Sequence, residues 1–89
     1  MDDPRDYPEF RKVPFDRLNP RARRVIQFAA TAAARNGDDY IGSEHLLLAI
    51  AQPGNGMGWS FLDNAGCADA VRSAIEEFLT AEARKRATG

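Results

Sequence analysis

Residues 40–50 read Tyr-Ile-Gly-Ser-Glu-His-Leu-Leu-Leu-Ala-Ile, and this stretch decides the fold class. Gly42 gives a tight turn, and Ser43 is a hydroxyl residue suited to capping a helix. The spacing predicts a helix from Glu44 to about Ala51. Glu44 lies in its first turn, where the helix dipole favours negative charge. Leu46, Leu47, Leu48 and Ile50 make this helix apolar on nearly every side, the signature of an element surrounded by others. Tyr40 and Ile41 are expected to tuck inward ahead of it. Pro53-Gly54 stops it.

A longer helix is written upstream of this hub. Asn19 caps and Pro20 suits the first helical position. Val25, Phe28, Ala29, Ala32 and Ala33 then recur at the spacing of one helical face. Gly37 supplies a left-handed stop, so the first helix covers about residues 20–36. Its run of alanines leaves room for a second helix to approach closely. Further upstream, Pro4, Pro8 and Pro14 exclude a regular helix, and residues 1–14 read as an extended arm. Phe10, Val13 and Phe15 are candidates to pin the later part of that arm to the domain.

Downstream, Gly54, Asn55, Gly56 and Gly58 form a flexible connector. A short helix over about 57–64 carries Trp59, Phe61 and Leu62, and Gly66 ends it. Val71, Ala74, Ile75, Phe78 and Leu79 repeat the helical stripe in a last helix over about 68–86. No segment alternates apolar and polar residues as a strand does. The expected fold is all-α, a compact four-helix array over residues 15–86, followed by a short tail at 87–89.

Composition narrows the function. The formal net charge of -1 gives no general pull toward nucleic acid or an anionic membrane. Arg17, Arg21, Arg23 and Arg24 nevertheless cluster near the first helix start, and Arg84, Lys85 and Arg86 near the end of the last. Both runs read first as solvated surface, the second also as favourable charge at a helix C-terminus. Cys67 is the one cysteine, so an intrachain disulfide and a cysteine-based zinc set are excluded. That usage, with no basic-then-apolar leader at residues 1–14, gives cytoplasmic placement as the expectation. No apolar run approaches membrane-spanning length.

Catalytic chemistry is not written here. Gly54-Asn55-Gly56-Met57-Gly58 lacks the Lys-Ser/Thr and the preceding strand of a phosphate loop. His45 is the one histidine, so Glu44-His45 lacks the second histidine of a helical zinc-protease motif. It reads as a packed, hydrogen-bonded core histidine. Cys67 reads as a gap filler after Gly66. The expectation is a protein with no enzymatic activity, cofactor or metal. Trp59 is either an exposed anchor, since tryptophan is common in binding hot spots, or a plug closing the core.

Taken together, Arg21-Ala22-Arg23-Arg24-Val25, Ala29, Ala33, the run Tyr40 to Leu48, Gly54, Gly56, Leu62 and Gly66 resemble the repeat of the Clp N-terminal domain family. The family is best known from ClpA- and ClpC-type AAA+ unfoldases. Its members typically read Tyr-Ile-Gly-Thr-Glu-His-Leu-Leu-Leu where Tyr40–Leu48 stand, with Ser43 replacing the threonine. They read Phe-Thr-Glu where Leu18-Asn19-Pro20 stand. The resemblance covers about residues 18–82. It implies a protein- or peptide-binding module whose motif glutamate, here Glu44, holds the guanidinium of a phosphoarginine. Carried over by position, the ligand-binding set is Glu44, Asn19, Ser43 and Arg21. Trp59, Met57 and Phe10 are the expected partner surface.

The family domain carries two such repeats, and residues 1–89 hold one, without an AAA+ module. The expected partners are therefore a Clp unfoldase, its substrates or peptide ligands, and a second copy forming a homodimer. An adaptor or substrate-recognition accessory is the first functional expectation. A decoy that sequesters ligands of an unfoldase N domain is the second. A nucleic-acid accessory protein using the arginine cluster is the third.

Overall fold

A computed structural model describes residues 15–88. After a 3₁₀ turn at Phe15–Arg17 come four helices: α1 (Pro20–Arg35), α2 (Ser43–Ile50), α3 (Met57–Asn64) and α4 (Ala68–Thr88). No strand occurs among the described residues, and the fold is all-α as the periodicity predicts. The expected roles of Phe10 and Val13 lie outside the described residues.

The start of α1 follows its sequence signal. The Asn19 side chain accepts from the Ala22 N–H at 2.8 Å, and Pro20 stands at the first helical position. The alanine run explains the packing. Ala29 and Ala33 are buried where α1 meets α2, while Ala30 and Ala34 on the opposite side are exposed. At the far end, Gly37 takes φ 78° and turns the chain out of the helix, so that the Asp38 N–H donates to the Ala33 carbonyl at 2.9 Å.

Several expectations need correction. Ser43 does not cap α2; it is the first helical residue, and Gly42 occupies the cap. Having no side chain to offer, Gly42 donates its own N–H to His45 Nδ1 at 2.8 Å, so the imidazole does the capping. Tyr40 and Ile41 do not tuck inward, being about half exposed. Leu46 and Leu47 also reach solvent, and only Leu48 and Ala49 of the hub are fully buried with His45.

The cause lies in how the helices meet. α2 packs on both α1 and α4, and α4 on α3, but α1 and α4 do not close against each other. A cleft of about 400 Å³ remains between them, floored by Leu48 and Leu79 and edged by Phe28 and Ala32. Phe28, predicted to face the core, lines this cleft and is accordingly exposed; Phe78, also predicted to face inward, is exposed outside it. At the crossing of α2 and α3, Gly58 lies so near Ile50 that a β-carbon there would sit 2.8 Å from Ile50 Cγ2. The last helix runs on to Thr88, past the end expected from its stripe.

Candidate functional site

Two groups of polar and apolar side chains stand at the two ends of α1. The first, at its C-terminal end, is closed. The Asp38 carboxylate, 2% exposed, collects three donors. Asn36 Nδ2 donates at 2.9 Å, His45 Nε2 lies at 2.9 Å, and the Arg86 guanidinium reaches it from α4. Arg86 also donates to the Asn36 carbonyl. Because His45 Nδ1 accepts from Gly42, its ring proton is on Nε2 and points at Asp38. Hydrogen bonding from Asn36, then from Arg86 and His45, overcomes burial and draws Asp38 from 3.8 down to about 2. Asp38 in turn pushes the Tyr40 hydroxyl pKa up, with Glu44 adding to the effect.

This network is structural. Both nitrogens of His45 are used and the ring is fully buried. Cys67 gives its thiol to the Leu62 carbonyl at 3.5 Å and is not brought to His45. Arg86, read from sequence as surface charge, instead ties α4 to the α1–α2 turn across 48 positions. No local pattern marks Asp38, Asn36 or Arg86 as partners, since their meeting depends on tertiary packing.

Glu44 lies just outside this network. Its carboxylate folds back over Gly42, where any β-carbon would collide with it, and stands 3.5 Å from the Tyr40 hydroxyl. Ser43 is exposed beside it. Asn19 and Arg21 are at the other end of α1, roughly 20 Å away along a helix of 16 residues at about 1.5 Å per residue. The structure therefore does not bring Glu44 and Asn19 around one ligand.

The second group is open. Asn19 and Arg21 of the α1 start meet Met57 at the start of α3, with Trp59 one step further. A groove of about 390 Å³ runs between the two helices over Val25, Ile26 and Ile50. A second hollow of about 400 Å³ adjoins it, sharing Arg21, Gly56 and Met57 and adding Trp59 and Ser60. α3 buries none of its residues fully: Met57 is 71% and Phe61 66% exposed. Trp59 is half-buried, standing between the anchor and plug readings. Two of the sequence-derived ligand residues and two of the expected partner residues thus converge here.

The connector keeps this end in shape. Arg21 donates to the Gly54 carbonyl, and its stem lies against Gly56, which takes φ 108°. Asn55, expected as part of a flexible connector, is instead buried and donates to the Ala49 carbonyl at 2.6 Å, fastening the glycine-rich loop to the end of α2. Among the described residues no cluster of His, Cys, Asp or Glu is arranged to hold a metal ion.

Residues 17–89 match the profile of the Clp repeat (R) N-terminal domain. The chain is 42% identical over 55 residues to a chloroplastic ClpA homolog, an ATP-dependent Clp protease ATP-binding subunit, of Brassica napus. It is equally similar to the chloroplastic chaperone protein ClpC1 of Arabidopsis thaliana. Both alignments take in 62% of this chain and 6% of the relative. A ClpA homolog of Porphyra purpurea is 30% identical over 79 residues, 88% of this chain and 9% of that protein. The chain thus spans less than a tenth of the length of these curated relatives. No solved structure gives a significant match.

Proposed function

The chain belongs to the Clp repeat N-terminal domain family, and from that premise we propose that it is a non-catalytic protein- or peptide-binding module of the Clp protease system. The observation that carries this reading is the open end of the molecule. α3 offers Met57 and Phe61 to solvent beside Trp59, and an apolar groove lies between α3 and α1. A small domain gains stability by burying such side chains, at about 25 cal/mol per Å² of apolar surface. Leaving them out favours a surface that meets another molecule. The polar cluster at the other end does not compete for the role, because its donors and acceptors already satisfy one another.

The finer reading is an adaptor or substrate-recognition accessory, placed in the cytoplasm with the unfoldase it serves. A second copy covering α3 is compatible with the same surface. The test is direct binding. Purified protein is titrated against a Clp-type AAA+ unfoldase and against substrates of its protease, with degradation followed in parallel. The expected result is saturable binding to at least one of them and a changed degradation rate. Absence of both at about 100 μM, an affinity floor near 5.5 kcal/mol, overturns the proposal.

A further inference from the structure

The groove between α1 and α3 has a charge character that its apolar lining does not require. Across this groove and the adjoining hollow, Arg21 is the one charged residue among the described residues that line them, and no described carboxylate is in that lining. The first turn of α1 contains no acidic residue, although acids are favoured there by the helix dipole. Arg21, Arg23 and Arg24 occupy the early turns instead, adding positive charge to the positive end of the dipole. Arg23 spends one donor on the Asp16 backbone carbonyl, not on a carboxylate. The Arg21 guanidinium is held by the Gly54 carbonyl and by packing of its stem on Gly56, so it has a fixed place at the groove edge. Five N–H donors are available on a guanidinium, and among the described residues only the Gly54 carbonyl takes one from Arg21.

We infer that this groove accepts a peptide segment of a partner protein that pairs bulky apolar side chains with a carboxylate. The apolar side chain lies over Val25, Ile26 and Ile50, flanked by Met57, and the carboxylate meets Arg21. The inference rests on the binding-module reading above and names the chemistry of its ligand. Charge complementarity selects the occupant. An acidic segment complements the positive end of α1, whose first turn holds no acidic residue, whereas a basic segment meets repulsion from Arg21 and from the dipole. Pairing of Arg21 with a carboxylate also gives geometric selection, since the guanidinium fork matches two carboxylate oxygens.

Trp59 is the sole tryptophan and lines the hollow, so its emission reports occupancy directly. The probe is a blocked octapeptide, Asp-Phe-Leu-Glu repeated twice, compared with its Asn-Phe-Leu-Gln isostere. The full chain is expected to bind the acidic peptide saturably and the isostere about tenfold more weakly, the worth of one charge-assisted hydrogen bond. Arg21→Gln should bring the acidic peptide down to the level of the isostere. Arg35→Gln, at the α1–α4 cleft, should change neither.

Equal affinity for the two peptides, or a loss with Arg35→Gln in place of Arg21→Gln, overturns the inference. A full-length variant with Asp2, Asp3, Asp6 and Glu9 changed to amides covers the remaining occupant. If it binds the added peptide about tenfold more tightly, the groove belongs to the chain's own acidic segment and the partner assignment falls. The two readings fail separately. An unfoldase that binds while the acidic peptide does not leaves the module reading standing. A peptide that binds with no Clp component doing so removes the Clp assignment alone.

Discussion

The two ends of α1 solve the same chemical problem in opposite ways. At the C-terminal end, Asp38, His45, Asn36 and Arg86 spend their hydrogen-bonding capacity on one another and on nearby backbone. At the N-terminal end, Arg21 stands at the edge of an apolar groove with no carboxylate among the described lining residues. The closed end resembles the interior of a larger protein, and the open end resembles half of an interface. The contrast teaches that a charged residue's type says little about its role; what matters is whether the fold completes its partners.

The comparison can be broken most forcefully at His45. Replacing this fully buried ring by alanine leaves a cavity and strips partners from Gly42 and Asp38. We expect His45→Ala to lose about 2–4 kcal/mol in urea denaturation. A loss below about 0.5 kcal/mol would show that the closed end is not a structural latch.

Gly56 tests the open end at its hinge. Its φ of 108° is poorly suited to a β-carbon, which would also stand 3.2 Å from Arg21 Cβ. Gly56→Ala is expected to cost about 1–2 kcal/mol by the same measurement. It should also shift the Arg21 side-chain signals in NMR spectra. An unchanged midpoint and spectrum would mean that the connector does not position the arginine.

Acid sharpens the contrast more gently. Asp38 has a lower pKa folded than unfolded, so its contribution is complete above about pH 4 and drains away as pH falls toward 2. Thermal melts between pH 5 and 2 should show the wild-type advantage over Asp38→Asn shrinking through that window. A gap that stays constant, or widens, contradicts the network. The smallest effect belongs to the open end: Met57→Ser and Arg21→Gln should each alter stability by less than about 0.5 kcal/mol. A larger loss in chemical denaturation would make these residues part of the core.

Much of this was legible along the chain. Asn19-Pro20, the alanine face of α1, the Tyr40–Leu48 motif and the glycine stops depend on neighbours within a turn or two, which sequence displays directly. The open groove is half legible: Asn19 and Arg21 are read as ligand residues alongside Glu44 and Ser43, and Met57 and Trp59 as partner surface, but not the four as one place. The hydroxyl of Ser43 suggested the cap, yet the His45 ring displaced it because Gly42 lets the imidazole reach back. The exposure of Phe28 was hidden for another reason. Periodicity gives a helix its apolar face but not whether two such faces meet, and here α1 and α4 leave a cleft. Arg86 and Asp38 were invisible as a pair because 48 residues separate them.

That long reach has a consequence for synthesis. A ribosome releases α1 and α2 well before Arg86, so the nascent hairpin carries Asp38 without its guanidinium. The contact that completes the carboxylate joins distant parts of the chain, a class of contact that closes slowly. Until α4 emerges, α2 lacks one of the two helices it packs on, and Leu48 has no Leu79 beside it. The latch at the end of α1 closes only when the final turns of α4 arrive, so the first half of the domain waits on its last helix.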